Sequence, residues 1–363
     1  MESLVQSSSQ ILPKHIPQLS INGTKYLECS RIACTRQSMI YVGQQEEVGS
    51  LTSTDSSFGW VVIKLIINLD GNAIDGTRQG MREILMHETV RNGCHRHLEG
   101  SDQGIKMATD ISFEGQSHIL NILDSSNSIE VQQMGDIGLK CNIPALVLPF
   151  IRLQSMDSIL KTSQKRLFQD LRRFKFFFDQ LIILMKYLEN IQIAHRDIKP
   201  GNILLDNNLN LLLTDFGQAC PLTNAEPAGN LGYIWVGTHG YNPPECVKSA
   251  LTGKPYDLSK AQVFQFGVTA FEFLIQQRLF SHKDLEDDLR YKLLIENDKQ
   301  GFIETLRPLF NAKDPRIFKE FEEIIISSLL YNMILPDPQA RFSLEQVEKA
   351  LLDNREYQDV DKL

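Results

Sequence analysis

His195-Arg196-Asp197-Ile198-Lys199-Pro200-Gly201-Asn202, followed by Asp215-Phe216-Gly217, decides how this chain is read. The stretch sets a carboxylate, an amine, an amide and a second carboxylate at fixed spacing. Asp197 is a candidate base. Lys199 can face a phosphate. Asn202 and Asp215 offer the hard oxygens that magnesium prefers. Transfer of a phosphoryl group needs such a set, because its catalysis is mostly positioning and charge neutralisation around a polyanion. The runs Ile203-Leu204-Leu205 and Leu211-Leu212-Leu213 predict two short strands flanking these groups.

Working outward, the two sides differ in character. Towards the C-terminus, apolar residues recur with helical spacing over 168–188, 261–276, 317–334 and 343–352. Ser343 with Gln346 predicts a capping box at the last of these. Towards the N-terminus the pattern is β-type, at Ser38–Val42, Trp60–Ile67, Ile119–Leu123 and Ala145–Leu148, with one helix over Gly76–Val90. Residues 1–24 are polar and carry Pro13 and Pro17, which predicts an arm. Two connections, 91–117 and 125–143, are long for a compact domain and are read as insertions. The acidic tail, 353–363, is expected to fray.

Composition narrows the function classes. The chain has 363 residues, 42% hydrophobic and 23% charged, as expected of a globular protein large enough for two lobes. A formal net charge of −8 argues against nucleic acid as a partner, which calls for a basic surface. The six cysteines are scattered with no CxxC, so they predict reduced thiols and a cytoplasmic location, with the nucleus as an alternative. Residues 1–19 lack the basic start and apolar core of a signal peptide. The longest apolar run, 176–188, is broken by Asp179 and Lys186, so no membrane span is expected.

The quoted stretch resembles the catalytic and metal-binding loops of eukaryotic protein kinases, in the form found in serine/threonine-directed members. The resemblance covers about residues 25–352. It implies an α+β, bilobal fold: a small β-rich N-lobe over 25–148, a hinge at 149–152 and a larger helical C-lobe over 153–352. It implies transfer of the γ-phosphoryl of Mg-ATP to a Ser or Thr hydroxyl of a protein substrate. Asp197 would accept or orient the hydroxyl proton, Lys199 would contact the transferring phosphate, and Thr238 would contact both. Asn202 and Asp215 would hold Mg2+. Lys64, after Val61-Val62-Ile63, is similar to the lysine that grips the nucleotide phosphates. Glu83 is its expected partner, with Glu88 as the competitor. Ile32, Ile40, Val62, Leu148, Phe150 and Leu204 would line the nucleotide. Glu245 resembles a glutamate that pairs with a buried arginine, and Arg341 stands at the matching place.

Some positions depart from the family pattern. Ala33, Thr35 and Ser38 occupy the three places of the glycine-rich loop, where glycine normally allows close backbone approach to phosphate. Weaker ATP binding is expected from this, and a pseudokinase acting as a scaffold is the alternative reading. Gln262 replaces an aspartate that accepts hydrogen bonds from the catalytic-loop backbone. A neutral amide accepts without charge assistance. Phe264 stands in for the usual tryptophan. Ile234 sits where a phosphorylated residue is common, leaving Thr223 and Tyr233 as modification candidates beside Arg196. Gly201 and Ser155 stand where acids serve enzymes that prefer basic substrates. His87, Cys94, His95 and His97 are zinc-capable side chains, but their spacing is not that of a finger. They are read as helix packing and a polar insertion.

Overall fold

The computed structural model describes residues 12–35, 38–46, 59–67, 73–92, 113–132, 138–152, 155–162, 168–222, 231–232, 236–281, 287–310 and 315–360. The chain divides into two compact units. One holds residues 1–92, 120–152 and 215–217. The other holds 93–119, 153–214 and 218–363. The first is β-rich and the second helical, the mixed α+β class expected from the sequence.

The first unit is an eight-stranded sheet with one helix. Its strands are β1 (His15–Ile21), β2 (Thr24–Cys34), β3 (Ser38–Gln45), β4 (Trp60–Ile66), β5 (Asp124–Ser126), β6 (Ile129–Gln132), β7 (Gly138–Cys141) and β8 (Ala145–Pro149). Their order is β5-β8-β4-β3-β2-β1-β6-β7. The helix α1 spans Ala73–Asn92. Side chains alternate across a strand, so each strand offers the core every second residue. Val61, Ile63 and Leu65 of β4 are buried with Tyr41, Leu19 and Val147. Burying each such aliphatic side chain contributes about 1.5–3 kcal/mol. The register pairs Lys64 with Ile40 and Leu146, and Val62 with Val42 and Leu148. Lys64, Val62, Ile40 and Leu148 therefore share the face opposite that core. A one-residue slip of β4 would turn Lys64 into the core and Ile63 out of it.

Three expectations are corrected here. The polar arm over 1–24 ends sooner than its composition predicted. His15–Ile21 pairs with β2 and β6, and Ile16, Leu19 and Ile21 are buried. Pro17, which has no N–H to give, takes part in neither ladder. The strand expected at Ile119–Leu123 lies at Asp124–Ser126. Ile119 and Leu120 are buried, but Ile119 makes only an isolated bridge, to Leu213. The tail beyond Leu352 is ordered where described: Arg355–Asp359 is helical, Tyr357 is buried, and its hydroxyl donates to Asp179 at 2.6 Å. Within the insertion at 125–143, β6 and β7 form a hairpin that extends the sheet beside β1. Most of the insertion at 91–117 lies outside the described residues, as do Cys94, His95, His97, Thr223, Tyr233 and Ile234.

The second unit contains α2 (Met156–Thr162), α3 (Leu171–Asn190), β9 (Ile193–Ala194), β10 (Ile203–Leu205), β11 (Leu211–Leu213), α4 (Pro244–Thr252) and α5 (Leu258–Ile275). Asp170 caps α3 by accepting from the Arg173 amide, and Asp257 caps α5 by accepting from the Lys260 amide. α5 is buried along almost its whole length, which suits its apolar sequence. β10 and β11 pair antiparallel around the turn at 206–210. The helical stretch expected at 317–334 contains a π-helical segment, Glu322–Leu330, between α-helical turns. Ser343 and Gln346 form both hydrogen bonds of the capping box.

Candidate active site

In the first unit, β4, α1 and Asp215 bring one cation against two carboxylates. Lys64 Nζ lies 2.6 Å from Glu83 Oε1 and 2.9 Å from Asp215 Oδ1. Burial pulls the Lys64 ammonium down, but Asp215 and Glu83 outweigh it and hold its pKa above the ordinary lysine value. Burial pushes the Glu83 carboxyl up, Lys64 opposes this and the Asp215 charge adds to it. Glu88 takes a different partner, the Ser125 hydroxyl at 3.0 Å.

The backbone at this cluster is tightly constrained. Asp215 has a left-handed φ of 68°. At Gly217 a Cβ would lie 2.9 Å from Glu83 Oε2, so a side chain there would push on the carboxylate that holds Lys64. His87, one turn along from Glu83, packs against Phe216 with the rings tilted by 45° and their centroids 4.9 Å apart, and its Nε2 lies 2.8 Å from the Leu120 carbonyl oxygen. Among the described residues, no group of three or more His, Cys, Asp or Glu is arranged to hold a metal ion.

In the second unit, the loop between β9 and β10 builds a cluster around Asp197. Lys199 Nζ donates to Asp197 Oδ2 at 2.6 Å and to Thr238 Oγ1 at 2.5 Å. The Thr238 hydroxyl donates to Asp197 Oδ1 at 2.7 Å. Asn202 Nδ2 donates to the Asp197 backbone oxygen at 2.9 Å and to Oδ2 at 3.0 Å. These donors fix the Asp197 carboxylate in one orientation. Lys199, Asn202 and Thr238 thus all meet at Asp197, although Thr238 is far along the chain. The loop is tied to β11 by the Thr214 amide, which donates to the Asn202 carbonyl at 3.0 Å.

Gln262 takes the place expected for it: its Oε1 accepts from the His195 amide at 2.9 Å. Two supporting residues escaped sequence reasoning. Gln265, one turn along α5, bonds to Arg196 and Ile198 on either side of Asp197, and Asn242 bonds to Gln265. The one available signal was that Gln262 and Gln265 are three apart and so share a helix face. Phe264 is fully buried, with the Arg341 guanidinium 4.9 Å from its ring centroid. Arg341 in turn grips Glu245 through two hydrogen bonds, of 2.5 and 2.9 Å.

Thr35 and Ser38, where β2 gives way to β3, are tied to each other. The Thr35 amide donates to the Ser38 carbonyl at 2.8 Å, and the Ser38 amide donates to Thr35 Oγ1 at 3.0 Å. Arg36 and Gln37 lie outside the described residues. Of the apolar residues expected to line a nucleotide, Leu148 is buried, Ile40 and Val62 are partly buried, and Ile32 and Phe150 are exposed. Leu204 belongs to β10 of the second unit. The donor chemistry fits a magnesium nucleotide. Asn202 turns its Nδ2 to Asp197, which leaves the amide oxygen at the other end. Asp215 gives a carboxylate. Magnesium is satisfied by one or two such oxygens together with phosphate and water.

The model of the protein kinase domain matches residues 105–351. That span contains Asp197, Lys199, Asn202, Asp215, Thr238, Glu245 and Arg341, while Lys64 and Glu83 precede it. CBL-interacting protein kinase 28 of Oryza sativa subsp. japonica is 28% identical over 74% of this chain and 60% of its own length. SNF1-like protein kinase ssp2 of Schizosaccharomyces pombe is 28% identical over 69% of this chain and 37% of its own. CBL-interacting serine/threonine-protein kinase 10 of Arabidopsis thaliana is 29% identical over 48% of this chain and 31% of its own. The chain therefore matches less than two thirds of the length of each of these curated relatives. With the matched domain covering more than half of the sequence and enclosing the Asp197 cluster, the chain belongs to the protein kinase domain family.

Proposed function

We propose that this protein is a serine/threonine protein kinase. The observation that carries the reading is the Asp197 carboxylate held between Lys199, Thr238 and Asn202. A carboxylate fixed in this way can orient an acceptor hydroxyl and take its proton. Lys199, shared between Asp197 and Thr238, sits where it can offset negative charge that develops on a transferring phosphoryl group. Lys64, kept protonated by Glu83 and Asp215, supplies the cation for the nucleotide phosphates. Asn202 and Asp215 are the ligands we assign to magnesium, and Ile32, Ile40, Val62, Leu148, Phe150 and Leu204 the apolar contacts to the base. When bound, Mg-ATP supplies the γ-phosphoryl group and neutralises the charge around it. The acceptor is a Ser or Thr of a protein, as the names of the relatives suggest. Among the described residues, Cys29, Cys34, Cys141, Cys220 and Cys246 are thiols outside any disulfide, which fits a reducing, cytoplasmic setting. No helix among the described residues is long and apolar enough to cross a membrane.

The test is phosphate incorporation into a generic protein substrate by wild type and Asp197→Asn. Loss of the base should lower the rate by at least about 10²-fold. Equal incorporation by both proteins defeats the proposal, and phosphoamino-acid analysis of the product reports whether Ser and Thr are the acceptors.

A further inference from the structure

We propose that Gln265 is a positioning residue for Asp197, and that Asn242 extends its grip to the segment ahead of Thr238. The inference rests on the kinase reading for its catalytic consequence, but its geometry stands alone. Gln265 is buried on α5. Its Oε1 accepts from the Ile198 amide at 3.3 Å. Its Nε2 donates to the Arg196 carbonyl at 3.0 Å and to Asn242 Oδ1 at 2.8 Å. The Arg196 carbonyl belongs to the peptide unit before Asp197, and the Ile198 amide to the one after it. One side chain thus holds both peptide planes that flank the proposed base.

The polarity of the arrangement is fixed. A glutamine amide has two donor hydrogens and one acceptor oxygen, and here both hydrogens and the oxygen are engaged. Turning the amide over would set an N–H against the Ile198 N–H, and an oxygen against two oxygens. Asn242 continues the chain in the same sense: its Oδ1 accepts from Gln265, and its Nδ2 donates to the Val236 carbonyl at 2.9 Å. The Val236–Thr238 stretch, which brings Thr238 to Asp197, is therefore tied to the same helix that braces the catalytic loop.

The loop needs such bracing. Arg196 has a left-handed φ of 66°, a conformation that a side-chain-bearing residue keeps only when its surroundings hold it. Gln262, a neutral acceptor where the family carries a charged one, accepts from the His195 amide and, among the described residues, from no other backbone amide of this loop. Gln265 supplies the missing contacts one turn further along α5. Gly237 packs against the Arg196 oxygen so closely that a Cβ there would clash with it, which leaves that carbonyl little room to turn.

Gln265→Met keeps the shape and removes every hydrogen bond. Gln265→Glu keeps the acceptor for Ile198 and removes both donors. Two readouts are needed: amide hydrogen exchange at Ile198, and steady-state kinetics per active site. For Gln265→Met, exchange at Ile198 should quicken by at least about 10-fold, and kcat should fall by about 10²-fold with KM for ATP little changed, the signature of a misplaced group. For Gln265→Glu, Ile198 should stay protected while kcat falls. General loosening of the fold does not give that split. A folded Gln265→Met protein with wild-type exchange at Ile198, or with wild-type kcat, overturns the proposal. Should Gln265→Met not fold, wild-type kcat in Gln265→Glu overturns it instead. A wild-type protein no more active than Asp197→Asn defeats the kinase reading, and exchange at Ile198 then still decides whether the clamp exists.

Discussion

Arg341 is fully buried and holds the carboxylate of Glu245, ninety-six residues earlier, through Nη1 to Oε1 at 2.5 Å and Nη2 to Oε2 at 2.9 Å. Its Nε also donates to the Leu335 carbonyl at 2.8 Å, and its Nη1 to the Lys260 carbonyl at 3.0 Å. One guanidinium thus anchors the start of α4 to α5 and to the turn before residue 341. Removing one partner of a buried pair leaves an uncompensated charge, so Glu245→Gln should destabilise the protein by about 3–5 kcal/mol. Glu245→Leu combined with Arg341→Met removes both charges and should recover only part of that loss. The Leu335 and Lys260 carbonyls then lack a donor, at about 1–3 kcal/mol each. Urea unfolding of the single and double variants measures both. A loss below about 1 kcal/mol in Glu245→Gln contradicts the account.

Glu83 should matter through Lys64 and not through the fold. Glu83→Gln keeps the volume in a buried site but takes away one of the two carboxylates that keep Lys64 charged. The ammonium is then drawn towards Asp215, the group assigned to magnesium. We expect kcat/KM for ATP to fall by about 10- to 100-fold, which is about 1.4–2.7 kcal/mol of transition-state stabilisation. Glu88→Gln is the control, since Glu88 bonds to Ser125, and it should leave kcat/KM within about 2-fold. Similar losses in the two variants would remove Glu83 from its assigned role.

Legibility followed the range of the contacts. Asp197, Lys199 and Asn202 lie within one short loop, so their type and spacing alone marked them as one candidate site. Thr238 and the Glu245–Arg341 pair were reached only through the family resemblance, because nothing local marks their partners. β1 was missed because Pro17 and its polar neighbours suggest a loose arm, while its burial depends on pairing with β2 and β6. The hairpin of β6 and β7 was hidden for the same reason: Ile129 and Val131 have a core only once β1 is in place. Gln265 and Asn242 were hard to read because, apart from each other, their partners are backbone groups, which carry no signature in side-chain identity. The π-helical segment at Glu322–Leu330 has the same apolar spacing as an ordinary helix.

The turn between β2 and β3 should show opposite effects on stability and nucleotide affinity. Thr35 closes the turn by accepting from the Ser38 amide, so Thr35→Gly loses a hydrogen bond worth about 0.5–1.5 kcal/mol and adds chain entropy to the unfolded state. The backbone gains room to approach a phosphate, as glycine does in other members of the family. Thr35→Gly should therefore unfold at a slightly lower temperature without ligand, yet bind Mg-ATP more tightly by calorimetry. Weaker binding in Thr35→Gly would mean that the Thr35–Ser38 closure serves the nucleotide.

Glu272 should make the stability of the protein fall with rising pH up to about 8. Its carboxylate accepts from the Tyr241 hydroxyl at 2.6 Å and the Leu279 amide at 3.1 Å. Burial pushes its pKa from 4.5 up to about 8; the Leu279 amide opposes the shift and the Asp157 charge adds to it. Arg278 lies 3.4 Å away, but it is more exposed and also reaches Asp157 at 3.2 Å, so its charge is shared. Between these two pKa values the folded state holds a proton that the unfolded state has released. Stability must then fall as pH rises through that window, with the full penalty reached above about 8. Glu272→Gln keeps the hydrogen-bond acceptor and cannot ionise. Its melting temperature should decline less than that of wild type between pH 6 and pH 8.5, choices set by the window of about 4.5 to 8. Parallel declines in the two proteins would show that the Arg278 charge, and not burial, governs this carboxyl group.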